Sequence, residues 1–230
     1  MSRTHTSRTH TSFTRTAGIL CTLVACLSAL AVTTERASAQ EAAAPAPAAA
    51  TPEAEKPVEL KVGDEAPEFE GKDDAEKEWK SVDHVGKKIL VVYFYPADTT
   101  GGCTDQACAY RDALAHFEEQ GVEIIGVSGD SVENHKIFKK AENLNFTLLS
   151  DFDGKIGKAF GVKSAKGGTV KWKSPDGNVV DLVRGITNMR WTFVIDLEGH
   201  IAYKDDKVKA TADVKNVKKV VAELKKKKAS

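Results

Sequence analysis

Short apolar runs alternate with stretches of helical spacing along most of the chain. The extended runs lie at 89–95, 122–127, 146–150, 192–195 and 200–203, and the helical stretches at about 104–119, 132–142 and 154–160. A final segment places Val214, Val217, Val221 and Leu224 at helical spacing, which predicts an amphipathic helix packed on a sheet. Strand and helix in alternation indicate βαβ units, and therefore an α/β domain with both faces of its sheet covered.

Two turn signals modify this picture. Asp176-Gly177 and Glu198-Gly199 each stand between extended runs, a pattern typical of β-hairpins. Hairpins add antiparallel neighbours to a parallel sheet. The sequence therefore predicts a mixed central β-sheet flanked by helices.

The N-terminal 39 residues have the layout of a secretory signal peptide. Arginines precede an apolar stretch at 17–32, and Ala37-Ser38-Ala39 forms a small-residue cleavage site. A membrane anchor is the alternative, but the stretch is shorter than the roughly 20 residues a spanning helix needs. Leu23-Val24-Ala25-Cys26 resembles a lipoprotein lipobox, although apolar residues continue past Cys26. We expect cleavage after residue 39 and export to the periplasm or beyond, with a lipid anchor at Cys26 as the less favoured outcome.

Residues 40–57 are rich in Ala, Pro and Glu and carry too little apolar surface to fold, so they are predicted to be a disordered linker to a domain at 58–230. The whole chain has 33 basic and 33 acidic residues, and the balance stays near neutral without the leader. No nucleic-acid partner is implied, nor a membrane partner beyond the lipid anchor.

The candidate chemistry lies in the stretch PADTTGGCTDQAC at 96–108, directly after the apolar run 89–95. Cys103 falls between the loop and the first turn of the next helix, where unpaired N–H groups and the helix dipole stabilise a thiolate. Gly101 and Gly102 let the backbone turn tightly and leave the sulfur approachable. A small buried structural cysteine is the alternative interpretation.

Cys108 follows Cys103 by five positions, unlike the two-residue gap of thioredoxin motifs and zinc knuckles. In a continuous helix the two Cα atoms would be roughly 8.7 Å apart. A disulfide needs Cα atoms within about 7 Å. The pair is therefore a poor permanent crosslink and suits a bond that is made and broken in a cycle.

These residues carry a resemblance. The pattern Pro96-x-x-x-Thr100-x-x-Cys103 is similar to the active-site motif of the peroxiredoxins, and Cys108 with Tyr110-Arg111-Asp112 resembles their Q (bacterioferritin comigratory protein) branch. The likeness continues through 62–67, 146–151 and 190–196, nearly all of the folded part. It implies a thioredoxin-like fold and thiol-dependent reduction of hydrogen peroxide and organic hydroperoxides.

The resemblance also implies roles for single residues. Cys103 would be the peroxidatic cysteine, Thr100 the hydroxyl that bonds the peroxide, Pro96 the ring that shields the sulfur, and Arg190 the fixed cation. Cys108 would resolve the oxidised Cys103 within the same chain, and thioredoxin or a similar dithiol would reduce the disulfide. No cofactor or metal is expected, and a monomer would suffice.

Two departures from the family pattern affect these expectations. Gly101 stands where many relatives have proline, which should loosen the loop, and 164–189 is longer than in compact members and is expected to form an extra hairpin near the site. Arg184 and Arg111 are rival candidates for the cation, with Arg111 expected to pair on the helix surface.

The second function class is an exported thioredoxin-like carrier of copper, of the Sco type, or a thiol-disulfide exchange protein. His200 could be offered as the distant ligand of a copper carrier, but it sits in an evident turn. His84, His116 and His135 lack ligand spacing and are expected to face solvent or pack partly. A Cys-His hydrolase is a third class, for which no acid or amide partner stands out.

Overall fold

The computed structural model describes residues 58–229, which lie within the predicted folded domain. The predictions of a signal peptide at 1–39, of a linker at 40–57 and of a modification at Cys26 fall outside the described residues. Within the described part of the chain, no helix is both long enough and apolar enough to cross a membrane.

Within residues 58–229, seven strands form one central sheet. They are β1 (Glu70–Asp73), β2 (Glu78–Lys80), β3 (Ile89–Phe94), β4 (Val122–Ser128), β5 (Thr147–Ser150), β8 (Trp191–Ile195) and β9 (Ile201–Asp205). Their spatial order is β2-β1-β5-β4-β3-β8-β9. The strands β3, β4 and β5 run parallel, whereas β1 and β8 lie antiparallel to their neighbours. The prediction of a mixed sheet is confirmed.

In the described part of the chain, four α-helices connect and cover these strands: α1 (Gly101–Glu119), α2 (Val132–Glu142), α3 (Lys155–Ala159) and α4 (Ala210–Ala229). A short 3-10 helix, Ser81–Asp83, follows β2. The order β3-α1-β4-α2-β5 gives the βαβ units that the alternation of patterns predicts.

Alternate side chains of β3 divide the core into two layers, because successive residues of a strand point to opposite faces. Ile89, Val91 and Tyr93 pack with buried side chains of α1, α2 and α4. Leu90, Val92 and Phe94 pack on the other face with α3 and with aromatic residues outside the helices. All six β3 side chains are buried, so the strand forms a rigid support for the loop that follows it.

The segment 164–189 forms a second, two-stranded sheet, β6 (Ser164–Lys173) and β7 (Val179–Asn188). The strands are antiparallel and turn at Gly177, whose φ of 92° favours glycine. Backbone bonds join this hairpin to the end of β4, from Gly185 N to Gly129 O and from Ser131 N to Val183 O. The expected hairpins at 176–177 and 198–199 are both confirmed.

The sequence patterns missed two strands and misplaced one helix end. The strands β1 and β2 are short and mostly polar, with Trp79 as their one buried apolar side chain, so they lack the apolar alternation that identifies a strand. The helix α1 begins at Gly101, three residues before its predicted start. Glycine has low helix propensity, and the pattern therefore places the boundary after the glycine pair rather than before it.

Candidate active site

Cys103 lies in the first turn of α1, at the end of the buried strand β3 and its connecting loop. Its side chain is only 1% exposed. Thr100 is the residue that caps the helix, and its carbonyl accepts a bond from Thr104 N at 2.8 Å. The sulfur therefore lies where the free N–H groups and positive dipole end of α1 favour negative charge.

Arg190 reaches this sulfur from the neighbouring strand. Trp191, the first residue of β8, pairs with Phe94, the last residue of β3. Arg190 precedes Trp191 and is thereby held at the end of β3, next to the start of α1. Its Nη2 lies 3.1 Å from the Cys103 Sγ, so a charge that cannot be lost at neutral pH faces the thiol.

A buried chain of hydrogen bonds holds the guanidinium through Nη1, while Nη2 contacts the sulfur. Arg190 Nη1 donates to Gln106 Oε1, and Gln106 Nε2 donates to Asp213 Oδ2 at 2.6 Å. The same carboxylate oxygen accepts bonds from Tyr110 at 2.8 Å and Thr192 at 3.0 Å. Arg190 is thus connected through one amide to a carboxylate on α4.

The loop between β3 and α1 has its own fixed shape. The Thr100 hydroxyl donates to Ala97 O at 2.9 Å, while the Thr100 side chain as a whole is exposed. Thr99 has a φ of 60°, an uncommon conformation for a β-branched residue that costs on the order of 1–3 kcal/mol. Pro96 is half-buried within the loop. The surrounding structure therefore holds the loop in a conformation that the chain alone would not favour.

Buried ionisable groups beneath the loop supply part of that constraint. Asp98 accepts bonds from Tyr95 at 2.7 Å and from the His135 ring at 2.8 Å, and its N–H donates to Asp130 at 3.0 Å. Burial raises the pKa of Asp98, against the effect of His135. Burial opposes the charged form of His135 as well, but Asp98 outweighs it and the pKa of His135 is raised.

The expectation that His135 faces solvent or is only partly packed is wrong. The side chains of His135 and Asp98 are both fully buried, because α2 turns this residue toward the sheet and Asp98 provides a partner for its ring. His116 is exposed, and His84 is half-buried and stacks on Trp79 with ring centroids 4.5 Å apart.

The rival arginines pair elsewhere. Arg184 Nε lies 3.2 Å from Asp130 Oδ1, which connects the β6–β7 hairpin to the carboxylate that holds the active-site loop. Arg111 pairs with Asp112 at 2.8 Å and donates to the backbone oxygen of Glu142. Of the three arginines considered, Arg190 is the one whose side chain bonds to the Cys103 sulfur.

Cys108 lies on a different side of α1. It is partly buried, and its Sγ lies 3.7 Å from Oε2 of Glu142, at the end of α2. Burial raises the pKa of Cys108; Glu142 raises it further, while Arg111 acts in the opposite direction. Both cysteines are free, and the continuous helix between them keeps their sulfurs on separate faces.

Among the described residues, no group of three or more His, Cys, Asp or Glu side chains is placed to hold a metal ion. His200 is exposed, and its N–H bonds to Asp196 in the turn between β8 and β9. The copper-carrier alternative therefore gains no support from the donor groups in this part of the chain.

Sequence reasoning missed Gln106 and Asp213. Gln106 stands three residues after Cys103, one helical turn away, so its spacing could have identified it. Asp213 precedes Val217 and Val221 by four and eight residues, which puts a carboxylate on the apolar side of α4. A charged residue on an apolar helix face is the signal that could have identified it.

Comparison with known proteins finds similar sequences that are named peroxiredoxins. A chloroplastic peroxiredoxin Q from Sedum lineare is 55% identical over 83 residues, 36% of this chain and 45% of that protein, so the chain matches less than half its length. A Coxiella burnetii protein that carries the name peroxiredoxin bcp is 39% identical over 160 residues, 70% of this chain and 97% of that protein.

Solved structures and a family model also match this chain. The crystal structure of peroxidoxin BcpB from Mycobacterium tuberculosis is 27% identical and covers 73% of this chain and 97% of that one, with a TM-score of 0.58. The fold is therefore thioredoxin-like, as predicted. The model of the AhpC/TSA family matches residues 62–204, more than half of the chain. With relatives named peroxiredoxin Q and bcp, the chain belongs to the AhpC/TSA family of peroxiredoxins.

Proposed function

We propose that this protein is a thiol-dependent peroxidase with Cys103 as its peroxidatic cysteine. The observation that carries the proposal is the position of the Cys103 sulfur, in the first turn of α1 and 3.1 Å from Nη2 of Arg190. Both features stabilise negative charge on sulfur, and the thiolate is the nucleophilic form of cysteine. The family membership supports the same reaction class.

In the first step the Cys103 thiolate attacks the terminal oxygen of a hydroperoxide. The S–O bond forms as the O–O bond breaks, leaving a sulfenic acid on Cys103 and a hydroxide or alkoxide ion that takes a proton to become water or an alcohol. Arg190 donates to the oxygen on which charge develops, since donors placed there in advance stabilise the transition state. Thr100 would turn its hydroxyl from Ala97 O to the bound peroxide, and Pro96 would limit access of water to the sulfur.

In the second step Cys108 attacks the sulfenic sulfur of Cys103. A disulfide forms, and the thiol proton leaves with the hydroxyl group as water. An external dithiol then reduces the disulfide, becoming oxidised itself and returning both cysteines to thiols. Thioredoxin or a similar protein is the proposed dithiol. Because both cysteines are in one chain, the cycle needs no second copy, and we propose a monomer.

The test is peroxide consumption by the purified chain, with dithiothreitol and separately with a thioredoxin system. Wild-type protein should consume hydrogen peroxide and an organic hydroperoxide, Cys103→Ser should consume neither, and Cys108→Ser should react once and fail to recycle with thioredoxin. Turnover by Cys103→Ser near the wild-type rate would refute the assignment of the peroxidatic cysteine.

Export remains part of the proposal, with a mature N-terminus near Gln40. Intact-mass spectrometry of protein from its native host tests this directly. A mass that includes Met1, or one that includes a lipid on Cys26, would contradict cleavage behind residue 39.

A further inference from the structure

Asp213 is a buried carboxylate at the start of α4, 1% exposed and 110 residues after Cys103. One of its oxygens, Oδ2, accepts all three of its side-chain bonds, from Gln106, Tyr110 and Thr192. Three donors converging on one oxygen fit a carboxylate, which has acceptor sites only. The helix α4 itself takes no part in the active-site motif.

The bond from Gln106 has a chemical consequence. A glutamine side chain offers one oxygen, which accepts, and one NH2 group, which donates. Burial raises the pKa of Asp213, against the effect of the bonds from Tyr110, Gln106 and Thr192. In its charged form Asp213 can only accept, so it turns the NH2 group of Gln106 toward itself and leaves Oε1 facing Arg190. With the amide reversed, two donors would face each other at Arg190, and the guanidinium would lose its partner.

We propose that Asp213 is a positioning residue for peroxide reduction: it fixes the amide orientation of Gln106, which holds the Arg190 guanidinium against the Cys103 sulfur. The inference rests on the proposed role of Cys103 and adds a requirement that lies outside the family motif. It also gives α4 a part in the reaction, since the position of one of its residues determines the direction of the guanidinium.

The direction in which loss of Asp213 changes the Cys103 thiolate distinguishes a positioning role from a purely electrostatic one. Removing a negative group near Cys103 would, by Coulomb's law alone, favour the thiolate. Arg190 contacts the sulfur directly, however, whereas the whole Gln106 side chain lies between Arg190 and Asp213, and electrostatic energy falls with distance. If Asp213 acts by positioning, its loss should disfavour the thiolate.

Other titratable groups also face Asp213 and must be included in any pH measurement. They are Tyr93 on β3, Tyr110 on α1, and Tyr203 and Asp205 on β9. Burial raises the pKa of each of the three tyrosines, to about 12 for Tyr203, so these phenols stay neutral near physiological pH. A change in the alkylation profile around neutral pH therefore does not arise from them.

The test replaces the carboxylate in Asp213→Asn and measures iodoacetamide alkylation of the Cys103 peptide by mass spectrometry across a pH series. Asparagine carries one accepting oxygen and one NH2 group, so it no longer forces a single amide orientation on Gln106. We therefore expect the profile to move to higher pH and the second-order rate with hydrogen peroxide to fall at least about tenfold, as for a misplaced catalytic group. Glu123→Gln is the matched control, a carboxylate-to-amide change at the far end of β3, where Glu123 pairs with Leu90. It should alter neither quantity.

A second variant tests the mechanism and guards against misfolding. In the exchanged pair Gln106→Glu with Asp213→Asn, the carboxylate at position 106 can accept from Arg190 directly and the amide at 213 can donate to it. We expect this pair to regain most of the reactivity lost in Asp213→Asn, whereas Gln106→Glu alone places two carboxylates in contact and should be the least reactive. A folded Asp213→Asn protein with an alkylation profile unchanged or moved to lower pH would overturn the proposal, as would an exchanged pair no better than Asp213→Asn.

Failure of the proposed function gives a different result. Alkylation of Cys103 requires no peroxidase activity, so the profiles of wild type and variants can be compared whether or not peroxide is consumed. A wild-type protein that consumes no peroxide, but whose Cys103 profile still moves in Asp213→Asn, would refute the peroxidase function and leave the positioning role of Asp213 intact.

Discussion

Closing a disulfide between Cys103 and Cys108 must unwind the start of α1. The helix is continuous from Gly101 to Glu119, and residues five apart in such a helix have Cα atoms roughly 8.7 Å apart. A disulfide tolerates about 7 Å at most. The first two turns therefore have to open before the sulfurs can meet, and Cys103 must leave its buried position beside Arg190.

The cost can be estimated from the bonds that open. The N–H of Thr104 bonds to Thr100 O at 2.8 Å, and the next four amides bond to carbonyls one turn earlier. About five helical bonds at about 1 kcal/mol each are on the order of 5 kcal/mol, before the freed chain regains entropy. If that stability is lost, amide exchange in this segment should accelerate by nearly four orders of magnitude, about tenfold for each 1.36 kcal/mol.

The assay is hydrogen exchange with mass spectrometry on the reduced protein and on protein treated with one equivalent of peroxide. Amides 104–108 should lose protection on oxidation, while those of α4 (Ala210–Ala229) should keep theirs. Cys108→Ser is the control, because it can be oxidised at Cys103 without forming the internal bond. Equal protection of 104–108 in both wild-type samples, or a disulfide-linked dimer on a non-reducing gel, would refute the reasoning.

Three further predictions concern single side chains. Arg190→Ala should slow oxidation of Cys103 by peroxide at least about a hundredfold, measured by competition with a reference peroxidase, because the residue removed would be the donor to the developing oxyanion; a change below threefold would contradict this role. Glu142→Gln should lower the pKa of Cys108, because in the wild-type protein both burial and Glu142 raise it. Alkylation of Cys108 should therefore reach its maximum at lower pH than in wild type. His135→Ala should reduce the free energy of unfolding by about 3 kcal/mol in urea titrations, because it removes the charged partner of the buried Asp98 carboxylate and leaves that group with its bond from Tyr95. Since the folded pKa of His135 is raised, its stabilising effect should be fullest below about pH 6.5 and decline as pH rises through the folded pKa.

The layered arrangement could be predicted from sequence because its signals are strong and local. The run 89–95 is apolar throughout, as expected of a strand buried on both faces, and the valines of α4 recur at helical spacing. The strands β1 and β2 carry no such signal, since they are only four and three residues long and Trp79 is their one buried apolar side chain.

The candidate site was predictable only in part. The placement of Cys103 at a helix start follows from the order of an apolar run, a glycine pair and a helical stretch. Arg190 was identified by resemblance, and what holds it in place is the register of β8 against β3, which no local pattern encodes. The bonds from Gln106 to Asp213 and from Asp98 to His135 join residues far apart in the chain, so they depend on tertiary packing.

The proposed cycle makes opposite demands on Gly101 in its two steps. A formed helix start holds Cys103 beside Arg190, whereas an opened one lets it reach Cys108. Gly101 is the first residue of α1 and is exposed, and a Cβ added there would meet nothing within 4 Å. Thr100 before it is extended, with φ −89° and ψ 145°, which is the conformation that a following proline requires. Glycine therefore occupies a position that proline could fill without strain.

Gly101→Pro should consequently favour the formed state. Proline suits the first helical position because its missing N–H has no partner within the helix there, and its fixed φ restricts the opened chain. A compatible substitution of this kind stabilises by up to about 1 kcal/mol, and that energy slows opening by about fivefold. Disulfide closure after a pulse of peroxide should slow by this factor, measured by rapid quenching and mass spectrometry. Over-oxidation of Cys103 should increase because its sulfenic acid persists.

Gly168→Ala is the control, another open position, placed on the hairpin strand β6. Closure in Gly101→Pro as fast as in wild type would mean that opening of the helix start does not limit the resolving step.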